Sequence, residues 1–561
     1  MANTLKILVV QPNYVFLRSH FAFGLNLAKY LAEEGHQIHM LVPITDSTYK
    51  LTNKNDEAQL NVRYFVQKKT KPLQELIREG DLSKMNDRIY HEIADDFELM
   101  DELRAEKFDV GMAEAFCFTE YSLALFHFLQ IAVTIATQSQ PMSPFQLYLM
   151  GHLSKMKQSE GMTTEFIGIS TMNILRNGGD RMKLLNMRSK GQMAEELKWR
   201  RDEVWRHCVE QTLAKIKEHI NMDTEYQKLA EEKFHLNFPG WDALFAKSRF
   251  YFINSLPEID FIQSKILKGD QRVKFIGGLN FGRPSDIDEK AMENTNALIS
   301  RSLGTKEGVV LVSFGTNEAL SESGDAQFVE AMAGTMDKFP NILFIWKLAQ
   351  GIAGQFQFKW DNVITQSWIN QKELLAHPKT KAFVSHCGMN SLLESVFHGV
   401  PIVCVPFTMD QYYNAELMAF RHIGLAVDRE NEKQTVQNEL ISALSEALGR
   451  RTISNDSATH LDLAKFKAIL CATLNKFYNS EKLVLRPHQI DAFWVHLTRH
   501  YKGKDKPVQL STDYLTILHL SKDIEANSTK GYNDKLLTQF DGQLGNGSAF
   551  LNDSKIIKVQ K

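Results

Sequence analysis

Residues 368–414 read WINQKELLAHPKTKAFVSHCGMNSLLESVFHGVPIVCVPFTMDQYYN. The run holds a short apolar strand, Ala382-Phe383-Val384-Ser385, that stops at His386-Cys387-Gly388. A helix is expected from near Asn390-Ser391, carrying Leu392, Leu393, Val396 and Phe397 and stopping at Gly399. Pro401 then opens a second apolar strand, Ile402-Val403-Cys404-Val405. A strand that feeds a helix through a glycine turn leaves backbone N–H groups and the positive helix end at the sheet's carboxyl edge. An α/β protein can hold a phosphate there.

Outward from this stretch the same alternation continues. Val309–Ser313, Ile342–Trp346, Asn362–Thr365 and Gly424–Val427 read as further strands with helices between them, which argues a parallel, doubly wound sheet. Phe314-Gly315-Thr316 is a strand-to-loop turn. Towards the N-terminus, Leu5–Val10 is a β-rich run ended by Pro12. Phe23, Leu27 and Leu31 then recur at helical spacing up to Gly35, and Gln37–Val42 is a second strand. Residues 108–116, 132–136, 248–255 and 274–279 supply more strand-like runs. The polar, irregular stretch between Asn280 and Gly308 reads as a linker.

The central stretch resembles the signature of the UDP-glycosyltransferase family in its animal, invertebrate-like form. The matching pieces are W-x-x-Q at Trp368 and Gln371, F-V-S-H-x-G-x-N-S from Phe383 to Ser391, Glu394, H-G-V-P from His398, and D-Q-x-x-N from Asp410 to Asn414. The pieces lie in register over one segment, which makes the match specific. One departure is Cys387, where animal members usually have glycine.

The resemblance implies a GT-B fold, with two Rossmann-like domains facing across a cleft. Residues 1–279 would bind the acceptor, 280–307 would link, and 308–486 would bind the UDP-sugar donor. A C-terminal helix, 487–510, would pack back on the first domain, and 511–561 would form a loose tail. It implies that Trp368 stacks on uracil and that Gln371 touches the nucleoside. His386, Gly388, Asn390 and Ser391 would hold the pyrophosphate, with Thr316 nearby. Glu394 would bond the ribose, and Asp410 and Gln411 would grip the sugar. His20 would be the catalytic base and Glu114 its acidic helper. Each position also has a plainer reading. Ser391 and Glu394 form the S-x-x-E of a capping box, Glu114 suits a solvated strand end, and His20 suits a helix-start hydrogen bond.

The expected activity is transfer of a hexose, glucose favoured, from a UDP-sugar to a hydroxyl of a small lipophilic acceptor, with inversion. Glucuronosyl transfer, or a non-catalytic UDP-sugar-binding subunit, are the alternatives. The UDP-sugar is a co-substrate, and no cofactor or metal is expected, since no Asp-x-Asp or histidine cluster stands out. A dinucleotide oxidoreductase would need G-x-G-x-x-G after the first strand, where the chain has Pro12-Asn13-Tyr14-Val15.

Composition agrees with a soluble globular chain of more than one domain: 561 residues, 43% hydrophobic and 24% charged. A net charge of −2 provides no broad basic field for nucleic acid. The 5 cysteines form no CxxC and read as neither a disulfide framework nor a zinc site. The chain enters its first strand without a separate leader, and its longest uncharged run, Tyr121 to Thr137, is broken by His127 and Gln130. No membrane span and a cytoplasmic location are therefore expected.

Overall fold

Strand segments such as Lys-Ile-Leu-Val-Val and Gly-Val-Val-Leu-Val-Ser are apolar on both faces, as strands must be when helices cover both sides of a parallel sheet. A computed structural model describes residues 4–14, 18–45, 47–51, 53–67, 82–115, 121–142, 144–152, 223–257, 259–260, 267, 269–278, 289–315, 326–348, 361–407, 410–420, 423–429 and 431–449. In chain order the first unit runs β1 (Lys6–Val10), α1 (Arg18–Glu33), β2 (Gln37–Ile44), α2 (Lys54–Gln59), β3 (Val62–Val66), α3 (Leu82–Asp95) and α4 (Phe97–Ala105). It continues through β4 (Val110–Glu114), α5 (Ser122–Phe128), β5 (Val133–Gln138), α6 (Pro144–Leu149), α7 (Trp241–Ala246), β6 (Phe250–Ile253) and β7 (Val273–Phe275). The second unit runs α8 (Glu289–Leu303), β8 (Gly308–Ser313), α9 (Ala326–Met336), β9 (Ile342–Lys347), β10 (Val363–Gln366), α10 (Gln371–Ala376) and β11 (Thr380–Ser385). It ends with α11 (Met389–His398), β12 (Ile402–Cys404), α12 (Asp410–Phe420), β13 (Gly424–Ala426) and α13 (Lys433–Ala447).

The strands form two sheets, ordered β3-β2-β1-β4-β5-β6-β7 and β10-β9-β8-β11-β12-β13. Every pairing is parallel. This is the expected two-domain, Rossmann-like α/β architecture of the GT-B type. Alternate residues of each strand enter opposite cores. Ile7, Val9 and Met40 pack with Phe21, Leu27 and Ala28 of α1, while Leu8, Val10 and Leu41 face the other way. In the second sheet Val310 and Val312 meet Phe328 and Met332 of α9, and Leu311 and Ile345 face Leu374 and Leu392.

Strand order reverses between β1 and β4 in one sheet and between β8 and β11 in the other. A crevice opens at the carboxyl ends of the strands that flank such a reversal. Polar contacts join the two units near those crevices. Asn254, just past β6, donates to Asn390 Oδ1 at 2.8 Å, and Asn390 donates to the Ser19 carbonyl at 3.4 Å. Tyr413 of α12 donates to Asp260 at 2.6 Å.

Two sequence expectations change here. The stretch read as an irregular linker contains α8, whose Ile299 is buried and which packs against α10. Its apolar positions are interleaved with Asn, Ser and Arg, which masked the helical period. Strand β3, Val-Arg-Tyr-Phe-Val, was not expected at all. It is a sheet edge in which only Phe65 is buried, so it lacks the apolar run of an inner strand. Among the described residues no helix is long and apolar enough to cross a membrane. The expected C-terminal helix, 487–510, and the tail, 511–561, lie outside the described residues.

Candidate active site

β1 ends in Val10, and the chain returns as α1, bringing His20 over the carboxyl end of the sheet. β4, the neighbour across the reversal, ends at Glu114, whose side chain is wholly buried. His20 Nδ1 and Glu114 Oε1 are 2.8 Å apart. The solvated-carboxylate reading of Glu114 is therefore wrong. This is a buried ion pair held by a cage of donors.

The cage comes from residues that sequence reading did not single out. The Ser139 backbone N–H donates to Glu114 Oε1 at 3.0 Å, and its hydroxyl bonds the same oxygen. The Ser139 oxygen also lies 2.7 Å from His20 Nδ1, so it can take that N–H while giving its own proton to the carboxylate. Gln11 donates to Glu114 Oε2 at 3.3 Å. On the far side of the ring, the Gln140 amide nitrogen lies 3.1 Å from His20 Nε2. These contacts are mutually satisfied when the imidazole proton is on Nδ1 and Nε2 accepts.

The cage sets the charges. Burial pulls the His20 pKa down, but the Glu114 charge, the Glu114 hydrogen bond and the Asp410 charge outweigh it and raise it above the ordinary histidine value. Burial pushes the Glu114 carboxyl up, yet His20 and the Ser139 donors leave it below the ordinary carboxylate range.

The donor side lies across the second reversal. β11 delivers His386 and Cys387, and α11 begins at Met389 after Gly388. Its N-cap is Gly388, which has no side chain to cap with, so the capping-box reading of Ser391 and Glu394 fails: the helix starts too early for Ser391 to be its cap. Both residues are held by Gln371 instead, which donates to Ser391 Oγ at 3.1 Å and to Glu394 Oε2 at 2.7 Å. Glu394 is buried, and burial raises its pKa.

His386 is clamped between two glycines. A Cβ on Gly315 (φ +87°) would lie 2.7 Å from His386 Nε2, and one on Gly388 would lie 2.6 Å from it. Burial, helped by Lys347, drives the His386 pKa down to about 4. At neutral pH this ring is an uncharged hydrogen-bonding group. Lys347 Nζ donates to the Gly315 carbonyl at 2.9 Å and lies 4.8 Å from the ring centroid of Trp368. Trp368 is 65% exposed, an unusual state for tryptophan and one that leaves an indole face open.

α12 closes the arrangement. Burial pushes Asp410 up to about 6, against His20, Asn414 and the Met389 backbone N–H. Asn414 donates to Asp410 at 3.0 Å and to the Cys387 carbonyl at 2.9 Å, and Gln411 accepts from the Phe407 N–H at 2.8 Å. Cys387 adopts φ 60°, the left-handed backbone that favours the glycine of relatives, and its sulfur is bonded to Cys404 with Cα atoms 5.3 Å apart. The expectation of no disulfide is thereby corrected.

The comparisons with known proteins agree with this geometry. Residues 217–462 match the family model described as UDP-glucoronosyl and UDP-glucosyl transferase. Over this stretch the chain is similar to the UDP-glycosyltransferases. Similar proteins include UDP-glucuronosyltransferase 3A1 of Xenopus laevis, 30% identical over 34% of this chain and 34% of the relative. Another is the β-D-glucosyl crocetin β-1,6-glucosyltransferase of Gardenia jasminoides, 32% identical over 30% and 40%. The chain thus spans well under half the length of these curated relatives. Among solved structures, a UDP-glucose:anthocyanidin 3-O-glucosyltransferase in complex with UDP has the same fold, with a TM-score of 0.51 at 17% identity over 89% of this chain and 99% of that one.

The UDP-glycosyltransferase signature and the geometry can be compared residue by residue. His20 and Glu114 are brought together. Gln371, Ser391 and Glu394 form a second cluster, and His386, Gly388 and Asn390 line the turn into α11. The Asp410 charge helps to raise the His20 pKa, and its carboxylate accepts from Asn414. Thr316 lies outside the described residues. Ser139, Gln140 and Gln11 were missed, although Gln138-Ser139-Gln140 at the end of a strand is a polar run where an apolar one should fade into a loop.

Proposed function

We propose that this chain transfers a hexose, glucose favoured, from a UDP-sugar to a hydroxyl group of a small lipophilic acceptor, with inversion at the anomeric carbon. The observation that carries this reading is the buried His20–Glu114 pair at one sheet reversal, opposite the N-terminus of α11 at the other. Nε2 of His20 takes the acceptor proton, while Glu114 fixes the proton on Nδ1 and stabilises the imidazolium that forms. The acceptor oxygen bonds to the anomeric carbon as the bond to the UDP oxygen breaks on the opposite face. The leaving diphosphate is met by the α11 N–H groups and by neutral His386 as a hydrogen-bond donor, and this scheme needs no metal.

Trp368 offers its open face to the uracil. Gln371, Ser391 and Glu394 suit the ribose side of the nucleoside, and Asp410 and Gln411 suit the sugar hydroxyls. The relatives' names divide between glucuronosyl and glucosyl transfer, so glucuronate is the second reading for the donor. The assembled base and helper favour catalysis over a binding-only subunit. Incubation with a panel of labelled UDP-sugars and lipophilic aglycones identifies the donor. His20→Ala should leave UDP affinity unchanged by calorimetry and cut turnover by roughly 10²–10⁴, the usual worth of general base catalysis. A folded H20A protein with near-normal turnover on an alcohol would overturn the mechanism.

A further inference from the structure

The base is not open to its substrate. Nδ1 of His20 is committed to Glu114 and Ser139, which leaves Nε2 as the proton acceptor, and Nε2 is engaged by the Gln140 amide nitrogen at 3.1 Å. Gln140 is itself only 7% exposed, and its buried Oε1 has no hydrogen-bond partner among the described residues. A buried amide oxygen left unbonded is costly. One half of this amide therefore holds the base, while the other half is an unused acceptor beside it.

We propose that Gln140 is an acceptor-positioning residue that guards the base and then passes it to the substrate. This inference rests on the proposed role of His20. Before transfer the amide N–H occupies the one direction from which Nε2 can take a proton, which keeps water from that position. The acceptor hydroxyl displaces the amide and donates to Nε2, and the freed amide N–H then donates to the acceptor oxygen. Gln140 Oε1, part of the same planar group, accepts from a second donor on the acceptor. The chemical class favoured is an acceptor with a second hydroxyl or an N–H next to the reacting hydroxyl, as in a catechol or a vicinal diol. No covalent step is added: the proton still passes from the acceptor to His20.

The charged groups facing His20 are Glu114 at the end of β4 and Asp410 at the start of α12, and both remain in the test. Gln140→Met keeps length and removes both amide atoms. A hydrogen bond donated to Nε2 favours the neutral ring, so its loss should move the His20 titration upward by about half a pH unit. Histidine-labelled NMR reads that titration with or without turnover, and H20A assigns the signal. In kinetics, Q140M should raise the KM for a catechol about three- to tenfold, the worth of one neutral hydrogen bond. The KM for a monohydroxy phenol should rise less, and UDP affinity should not move.

An unchanged or downward titration shows that Gln140 does not donate to the base and overturns the proposal. An upward titration with both acceptor KM values unaltered makes Gln140 a structural neighbour and overturns the positioning role. Loss of UDP binding would show a misfolded variant, in which case Gln140→Glu decides: a carboxylate at that distance must raise the His20 titration further. A wild-type protein that binds UDP but turns over no acceptor defeats the proposed function instead, and the NMR titration still reports on the contact.

Discussion

His20, buried, and His386, half-buried, stand at the reversals of two like sheets, and their charges are tuned in opposite directions. Burial alone would lower both. At His20 a buried carboxylate and Asp410 overcome it; at His386 the Lys347 charge adds to it. The difference shows that the fold supplies the position while the partner supplies the chemistry. In the proposed mechanism the first ring gains a proton, and the second stays neutral beside the diphosphate.

The largest effect should come from making the first site like the second. Glu114→Ala leaves His20 with burial as the dominant influence, so its titration should fall below the ordinary value of about 6.5. Turnover should drop roughly 10²–10⁴-fold, as it does when an orienting carboxylate is lost. If E114A keeps full turnover with His20 still titrating high, the contrast between the sites is false.

Gly315→Ala attacks the second site through shape alone. Its Cβ would press on His386 Nε2 at 2.7 Å in a backbone conformation that alanine resists. UDP affinity should weaken by about 2 kcal/mol, with the His20 titration untouched. Trp368→Ala should cost about 1–3 kcal/mol of UDP affinity by calorimetry, the range for a base stacked on an aromatic ring. Unchanged affinity in a folded W368A protein would remove the stacking role.

The pH dependence gives the smallest effects and the sharpest signs. His386, at about 4, stays neutral from pH 5 to 8, so its own titration should not move UDP affinity across that range. His20 must be neutral to act, so the acid limb of kcat/KM should lie above the ordinary histidine pKa of about 6.5. Stability runs the other way. Because the folded His20 pKa is raised, its pairing stabilises fully below the unfolded value and fades as pH rises through the folded one. Glu114, with its pKa lowered, stabilises above its unfolded value and loses that contribution as pH falls through the folded one. Thermal melts of wild type against E114A should therefore diverge most on the acid side of the activity optimum.

Much of this was legible in the sequence because it was local. The strand-turn-helix at Ser385–Ser391 and the inner strands carry their apolar runs within a few residues. The rest was hidden by distance or by mixed composition. Ser139 lies 119 residues from His20, and no spacing rule links them. Cys387 and Cys404 are separated by 17 residues and meet only because β11 and β12 pair. Helix α8 and edge strand β3 bury too little to show a clean period. Glu114 was found through resemblance, but its burial follows from a neighbouring strand pair that sequence does not display.

The connection between β5 and β6 runs from residue 139 to residue 249, whereas a parallel crossover needs only about a dozen residues. Its first residues, Ser139 and Gln140, contact His20, the proposed base. This makes the protein a natural host for chimeras. A graft joined at His152 and Asp223 keeps His20, Glu114, Ser139 and Gln140, and also the Asp223 bond to the Trp241 N–H and the Tyr226–Trp241 ring packing. Under the proposed function, swapping residues 153–222 as one cassette tests whether they set acceptor choice while His20 and its partners stay in their original chain.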